Sequence, residues 1–222
     1  PDDLLAPQVI EAAGGSGTTR FPAAFMRHDV QELARFPDEG ALWLEVDLIQ
    51  RLSPDSHSIM EFKTDLDLEI ASKLSNFPLL GDAVPNAWKL TLHRELHMTD
   101  DAPLFKTQPE ANALPLVEGK MIHQFEFARQ EYKFWVPEPG GRQSLLGRSA
   151  DDGQVLSYQR YRLAHRSIAS ATNERTLIAT ILPPSVFSGH SLNVAFTPEG
   201  AAEQLVLMAF MNSFVLDYYL RQ

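Results

Sequence analysis

The chain has 222 residues, 44% of them apolar, and a formal net charge of −10 at neutral pH. This composition is that of a globular protein, and the length allows one large or two small domains with a sizeable core. The chain contains no cysteine, which excludes disulfides, thiolate metal sites and cysteine nucleophiles and fits a reducing compartment. We expect a cytoplasmic protein, since the longest apolar run, Leu205 to Leu216, is too short to span a bilayer.

Charge is unevenly distributed along the chain. From Lys120 to Arg175 there are nine basic and six acidic residues, a sum of +3, whereas the remainder has ten basic and twenty-three acidic residues, a sum of −13. An acidic surface repels the phosphates of nucleic acid, so any nucleic-acid contact is expected within the basic segment. A mildly basic solvated face explains the same charges.

The N-terminal residues read as a linker followed by short elements. Gly14-Gly-Ser-Gly17 predicts a loop, and the proline at position 1 indicates a piece of a longer protein. A short helix capped by Asp29 is predicted to run to Arg35. Residues 41–52 mostly alternate apolar and polar side chains, which predicts a buried strand that ends in a turn at Ser53-Pro-Asp55.

A helix is predicted to begin near Thr64, after a short strand over residues 58–62. Asp65 and Asp67 lie in its first turn, where carboxylates complement the helix dipole. The apolar residues of this helix recur at helical spacing and are predicted to form its buried stripe: Leu66, Ile70, Ala71 and Leu74.

Residues 88–98 alternate apolar and polar side chains and are predicted to form a strand. His93 and His97 have the spacing of a zinc-binding helix. However, the glutamate between them is misplaced for a His-Glu-x-x-His motif, and the period is that of a strand. We therefore interpret them as solvated histidines and predict no metal site.

Strands and one long helix are predicted for the C-terminal half. Thr197-Pro-Glu199 has the residues of a helix start, and the helix is predicted to run, mostly buried, to about Tyr219. Loops are predicted over residues 100–112 and 137–153, and strands over 132–136, 176–182 and 192–196. The predicted fold class is α+β: a mixed, largely antiparallel sheet with flanking helices and a long buried C-terminal helix.

Few patterns in the chain indicate catalysis. The Gly-x-Ser-x-Gly motif of serine hydrolases is absent. Asp55, Glu61 and Lys63 match the letters of a metal-dependent nuclease site, in which carboxylates bind a divalent metal and the lysine orients a water or stabilises the phosphate. The gap between the two parts is short, and a turn and a solvated strand end explain the same residues. No catalytic residue is predicted.

Several sequence blocks follow one another in a characteristic order. They are Ser53-Pro-Asp-Ser56 with residues 62–70, Leu96 to Phe105, Leu116-Val-Glu-Gly-Lys-Met-Ile-His-Gln-Phe125, Ala171-Thr-Asn-Glu-Arg-Thr176, and Phe214-Val-Leu-Asp217. Over roughly residues 45 to 222 these blocks resemble the C-terminal region of large adenine-specific (N6) DNA methyltransferases of restriction-modification and related phage-defence systems. Val117 replaces the family's tyrosine, and Glu126-Phe-Ala-Arg129 stands where relatives often have Asp-His-Arg.

The resemblance implies a position downstream of a catalytic domain. In the family, that domain binds S-adenosylmethionine and holds a flipped adenine with an Asn-Pro-Pro-Tyr/Phe motif. This motif and the glycine-rich cofactor loop are missing here. The implied organisation is a linker over residues 1–40, a connector subdomain over 41–113 and a target-recognition domain over 114–222, which continues beyond Gln222 in relatives.

The same resemblance sets the expected cofactors and partners. No cofactor is expected in this chain, because S-adenosylmethionine belongs to the parent enzyme. The expected partners are double-stranded DNA, bound through the parent, and the catalytic domain in cis. A nuclease or translocase subunit is a further candidate, and no membrane is expected.

Nine residues are predicted to contact DNA, because amide side chains can read adenine and arginine can read guanine or bind phosphate. For any single one of them, a structural network of ion pairs and backbone hydrogen bonds is the simpler interpretation. The predicted residues are Lys120, His123, Gln124, Arg129, Arg160, Arg162, Arg166, Asn173 and Arg175.

Two alternative functions remain open. One is a protein-interaction module whose acidic N-terminal half docks a nuclease or translocase subunit. The other is a metal-dependent nuclease segment that uses Asp55, Glu61 and Lys63.

Overall fold

A computed structural model describes residues 19–85, 90–127, 130–170, 173–196 and 200–221. Over these residues the fold is mixed α+β, with five α-helices and three sheets in which antiparallel pairing predominates. The chain divides into two compact units, the first ending at Leu79 and the second spanning Leu80–Arg221. The linker predicted at Gly14 to Gly17 and the helix start predicted at Thr197 to Glu199 lie outside the described residues. The predicted domain boundaries after residues 40 and 113 stay predictions.

The first unit contains a two-stranded antiparallel sheet and two helices. Strand β1 is Arg20–Ala23 and pairs with β2, Leu42–Glu45. Between them, a 3-10 helix at Val30–Leu33 is capped by Asp29, whose carboxylate accepts from the Gln31 amide at 2.9 Å. The predicted short capped helix is therefore confirmed in this tighter form.

The strand predicted over residues 41–52 is correct only in its first half. After β2 the chain turns into helix α1, Val46–Leu52. Ile49, which falls off the period-two pattern, is fully buried because the helix turns it toward the core. The predicted turn is confirmed by the His57 amide, which donates to the Ser53 carbonyl at 2.8 Å. Residues 58–62 form no strand.

Helix α2, Asp65–Ser75, begins where the sequence predicted. Thr64 and Asp67 form a capping box, in which the Asp67 carboxylate accepts from the Thr64 amide at 2.8 Å. This cap turns the Asp67 side of the helix inward together with Ala71. Leu66 is consequently 59% exposed, so the predicted buried stripe is wrong at that position.

The second unit is built on a four-stranded antiparallel sheet. Its strands are β3 Thr91–His93, β6 Arg162–Arg166, β7 Ala179–Leu182 and β9 Leu192–Phe196. Their spatial order in the sheet is β3-β9-β6-β7. The predicted strand over 192–196 is confirmed as β9, whereas the other predicted strands in this sheet are shorter than expected.

A three-stranded sheet accompanies the larger one in the second unit. Strand β4, Ala113–Val117, pairs antiparallel with β5, Trp135–Pro137, and parallel with the short β8, Phe187–Ser188. Buried apolar side chains from this sheet form a cluster with Leu96 and Tyr158. Both faces of the larger sheet also carry apolar clusters, so each sheet is anchored by a core.

The loop predicted over residues 137–153 is confirmed only from residue 147 onward, because helix α3, Glu138–Leu146, follows β5 directly. Pro139 lies in the first turn, where a missing amide hydrogen costs nothing. At Gly141 an added Cβ would lie 2.5 Å from the Phe187 ring, so only glycine allows this close approach. The glycines and the proline that suggested a loop at this point are therefore part of a helix.

The predicted long C-terminal helix is two helices, α4 at Ala201–Met211 and α5 at Phe214–Tyr219. The Asn212 side chain bonds the Ala179 backbone in both directions, at 3.0 and 2.9 Å, and Ser213 caps α5. These two residues interrupt the helix because their side chains compete for backbone groups. Several large apolar residues on both helices are exposed, so the prediction of a mostly buried helix is also wrong. Among the described residues, no helix is long and apolar enough to cross a bilayer.

The first prediction concerns packing in the first unit. Phe62→Ala should lower the free energy of unfolding by about 3–5 kcal/mol, because Phe62 is fully buried and its loss leaves a cavity. Leu66→Ala, in the same unit, should change it by no more than about 0.5 kcal/mol, because Leu66 faces solvent. Chemical denaturation measures both. Equal costs for the two variants would contradict this description of the core.

Candidate functional site

A buried ion pair between Glu95 and Arg162 lies at the centre of the second unit. The Arg162 Nε atom lies 2.8 Å from Glu95 Oε1, and Nη2 donates to Oε2 at 2.8 Å. The side chain of Glu95 is 0% exposed and that of Arg162 is 1% exposed. Arg162 was predicted to contact DNA, through phosphate or guanine, and the structure contradicts this because its guanidinium is enclosed by protein.

Both side chains of this pair also form hydrogen bonds with neighbouring segments. Ser188 donates to Glu95 Oε2 from both its amide and its hydroxyl, at 2.8 and 2.9 Å, and the Ser157 hydroxyl donates to Oε1 at 2.6 Å. Arg162 donates to the carbonyls of Pro183 and Val186, at 3.1 and 2.8 Å. A buried charge pair persists only with such additional hydrogen bonds, so this arrangement is structural.

His93 lies on the partly exposed side of the same pair. Burial lowers the pKa of His93, and the positive charge of Arg162 lowers it further, against the opposing effect of Glu95. His93 is therefore neutral at pH 7. Together with Arg94 and Ser157 it lines a cavity of about 650 Å³.

A second polar network, which we name the C-terminal clamp, consists of Gln124, Arg175, Asn212, Asp217 and Arg221. Arg175 donates to the Gln124 side chain at 3.2 Å and to the Asn212 carbonyl at 2.9 Å, and approaches Asp217 at 3.5 Å. The sequence grouped Gln124 with Arg175, and the structure brings these two residues into direct contact.

Asp217 is the anion of the C-terminal clamp. Its carboxylate accepts from the amides of Thr176 and Leu177, at 2.6 and 2.8 Å, and pairs with Arg221 at 3.2 Å. Burial acts to raise the pKa of Asp217. The two backbone hydrogen bonds and the charges of Arg221 and Arg175 outweigh it, so the pKa is lowered.

Arg221 completes the clamp by donating to two consecutive carbonyls, those of Asn173 and Glu174. The backbone from Asn173 to Leu177 is thus held against α5 by Arg221 and Asp217. An open cleft of about 550 Å³ lies beside this segment, and Phe214 forms part of its wall with the Arg175 guanidinium 4.0 Å from the ring centre.

The remaining predicted DNA-contact residues divide by exposure. Lys120 is 53% exposed and lies 3.3 Å from the Glu118 carboxylate, while His123 is half-buried in a short bridge with Glu126. The side chains of Arg160 and Asn173 are exposed. The last two of the set are Arg166, which is half-buried and donates to the Ile122 carbonyl at 2.7 Å, and Arg129, which lies outside the described residues.

Arg160 and Arg162 lie in different elements, so their side chains do not share a strand face. Arg160 ends a 3-10 helix over Ser157–Gln159, and only Arg162 belongs to β6. One side chain consequently reaches solvent while the other enters the core. Of these two predicted DNA-contact residues, only Arg160 has an exposed side chain.

Sequence reasoning missed Glu95, Asn212, Asp217 and Arg221 as network members. Asn212 did carry a signal, because it is a polar residue inside the apolar run 205–216. Glu95 carried none, since its partner lies 67 residues away. No group of three or more histidine or carboxylate side chains that could hold a metal ion occurs among the described residues.

No family model matches the chain, and no curated protein shows significant similarity to it. The features that bear on function are therefore the Glu95–Arg162 pair, the C-terminal clamp and the order of the sequence blocks.

The second prediction tests the structural role of Arg162. Arg162→Met should destabilise the protein by about 3–5 kcal/mol, because it leaves the Glu95 carboxylate buried without its counter-charge. Arg160→Met removes the same charge from an exposed position and should cost no more than about 0.5 kcal/mol. Denaturant titration measures both. Similar losses of stability in the two variants would contradict a structural role of the Arg162–Glu95 ion pair.

The third prediction follows from the lowered pKa of Asp217. The unfolded chain takes up the proton near the ordinary value of 3.8, before the folded chain does. Stabilisation by Asp217 is therefore complete above about pH 5 and is lost as the pH falls through the folded-state pKa. Asp217→Asn should be less stable than the native chain at pH 6, and this deficit should shrink below about pH 4.

Unfolding free energies measured between pH 2.5 and 7 would show this trend. Asp152→Asn, at an exposed turn, is the matched control and should follow the native pH profile. A deficit in Asp217→Asn that is constant across the whole range would contradict the ionised clamp.

Proposed function

We propose that this chain is the DNA target-recognition and scaffold segment of an adenine-specific (N6) DNA methyltransferase of a restriction-modification or phage-defence system. The order of the resembling blocks supports the class of enzyme. The structural observation that carries the proposal is the rigid mounting of residues 173–177 by the C-terminal clamp, which leaves the Asn173 side chain facing solvent.

A rigid mount favours sequence reading. An asparagine amide can bond an adenine edge in the major groove in two places at once, provided that its backbone is held in position. Here the carbonyl of Asn173 and the amides of Thr176 and Leu177 are occupied by clamp side chains. The conformational entropy of this segment is therefore lost when the chain folds and not when it binds DNA.

Electrostatics also favour the second unit as the part that approaches DNA. Residues 80–221 include thirteen basic and fifteen acidic residues, a sum of −2, whereas the rest of the chain has six and fourteen, a sum of −8. Lys120 and Arg160 are exposed cations in the second unit and are assigned to phosphate contact. Gln124, Arg162 and Arg175 are assigned to the scaffold.

We assign the S-adenosylmethionine site to the parent enzyme and not to this chain. The glycine-rich loop that would cradle such a cofactor is missing from the sequence. The role of this chain's residues is to position the duplex, while methyl transfer belongs to the catalytic domain in cis.

A partner-docking module is the second candidate. It is favoured by the exposed apolar residues of α4 and α5, which have no affinity for phosphate. The nuclease or translocase subunit considered above remains a candidate partner. The two functions predict different responses to salt, since only phosphate binding releases counterions.

The fourth prediction distinguishes base reading from phosphate binding in the full-length methyltransferase that contains this chain. Arg160→Ala should weaken binding to all DNA sequences and reduce the slope of log affinity against log salt by about one, because one phosphate contact is lost. Asn173→Ala should instead relax the sequence specificity of methylation at one position by about 1–3 kcal/mol.

Salt-titrated binding and methylation mapping provide the measurements. Lys73→Ala removes one exposed positive charge from the first unit and is the control for net charge. Unchanged salt slope in Arg160→Ala and unchanged specificity in Asn173→Ala would reject the proposal in favour of the docking module.

A further inference from the structure

Helix α4 carries apolar residues on two opposite sides. One side packs on the sheet through Leu207 and Met211. The other faces solvent with residues at the spacing i, i+3, i+4, i+7 and i+8, namely Ala202, Leu205, Val206, Ala209 and Phe210. A helix that is apolar all round is normally enclosed by protein, so the second side requires a partner.

Helix α5, which follows after Asn212 and Ser213, also exposes large apolar residues. Phe210 ends the first stripe, and Phe214 and Val215 begin the second within the next five residues. We name the whole surface the C-terminal apolar face. Its seven large residues are between 42% and 81% exposed: Leu205, Val206, Phe210, Phe214, Val215, Tyr218 and Leu220.

The area of the C-terminal apolar face suits a specific protein interface. A fully exposed aliphatic or aromatic residue of this size presents roughly 150–250 Å², so the seven together expose on the order of 700 Å². A stable interface of ordinary size buries roughly 800 Å² on each partner. The apolar area that the two helices expose is therefore close to the area that one partner buries in a stable dimer.

The chemistry of this face excludes several kinds of partner. No ionisable residue occurs between Gln204 and Leu216, so the α4 part of the face offers no charged group to a nucleic acid or to a charged peptide. Two copies of this chain, each at −10, repel each other over most of their surfaces. They can approach with least repulsion at an uncharged face. The exposed Ala202 and Ala209 leave room beside Phe210 for the aromatic ring of a second copy.

We propose that the C-terminal apolar face binds the same face of a second copy of this chain, in a two-fold symmetric pairing of helices. A two-fold interface uses one patch on both molecules, which fits a surface that is apolar throughout. This inference does not depend on DNA recognition, because neither Asn173 nor Arg160 belongs to the face.

Sedimentation equilibrium of the 222-residue chain tests the pairing. We expect a species with twice the 24.9 kDa mass of the monomer at micromolar concentration. Phe210→Lys should raise the dimer dissociation constant at least tenfold, with an unchanged circular dichroism spectrum because the residue is exposed. Ile168→Lys, which places the same charge at another exposed apolar residue, should leave the constant unchanged.

A second measurement uses the absence of cysteine from the chain. Ala209→Cys introduces a single thiol in the centre of the face and should give a covalent dimer on mild oxidation, whereas Ser149→Cys, at another exposed position, should give at least tenfold less. A monomer at 100 µM, a dimer that persists in Phe210→Lys, or equal crosslinking of the two cysteine variants would overturn the proposal. The proposal would also be overturned if the chain stayed monomeric and its C-terminal apolar face bound a different protein.

Discussion

The buried pair of Glu95 and Arg162 is the interaction on which the second unit depends. Its carboxylate collects donors from Ser157, Arg162 and Ser188, which belong to a 3-10 helix, to the four-stranded sheet and to the three-stranded sheet. Desolvating two charges is costly, and an apolar replacement of the whole pair can be as stable. The specific effect of the pair is to bind three segments in one arrangement, since any other pairing leaves a buried charge without a partner.

The C-terminal clamp applies the same constraint to the two last helices. Asn212 lies in the break between these helices, and Asp217 lies on α5. Their side chains accept hydrogen bonds from the backbone amides of Ala179, Thr176 and Leu177. This fixes which sides of the helices face inward. One consequence is the held segment at 173–177, to which we assign base reading. The other is the outward apolar face, to which we assign pairing with a second copy.

Local signals predicted part of this structure, and tertiary contacts decided the rest. The capping residues of α2 and the alternation of β9 are local, and both elements were predicted correctly. Helix α3 was missed because Gly141 is explained only by the Phe187 ring, 46 residues away in the chain. Arg162 was assigned to DNA contact because a charged residue is exposed by default. Only the position of Glu95 shows otherwise, and no pattern in one sequence reveals that pairing.

A double-mutant cycle on Glu95 and Arg162 tests the central claim most directly. The free energy of unfolding would be measured for the native chain, Glu95→Gln, Arg162→Met and the double variant. If the pair is the shared anchor of the two sheets, the double variant will be more stable than the sum of the single effects implies, by at least about 2 kcal/mol. Effects that add to within about 0.5 kcal/mol would show that the two residues act independently and would contradict the account.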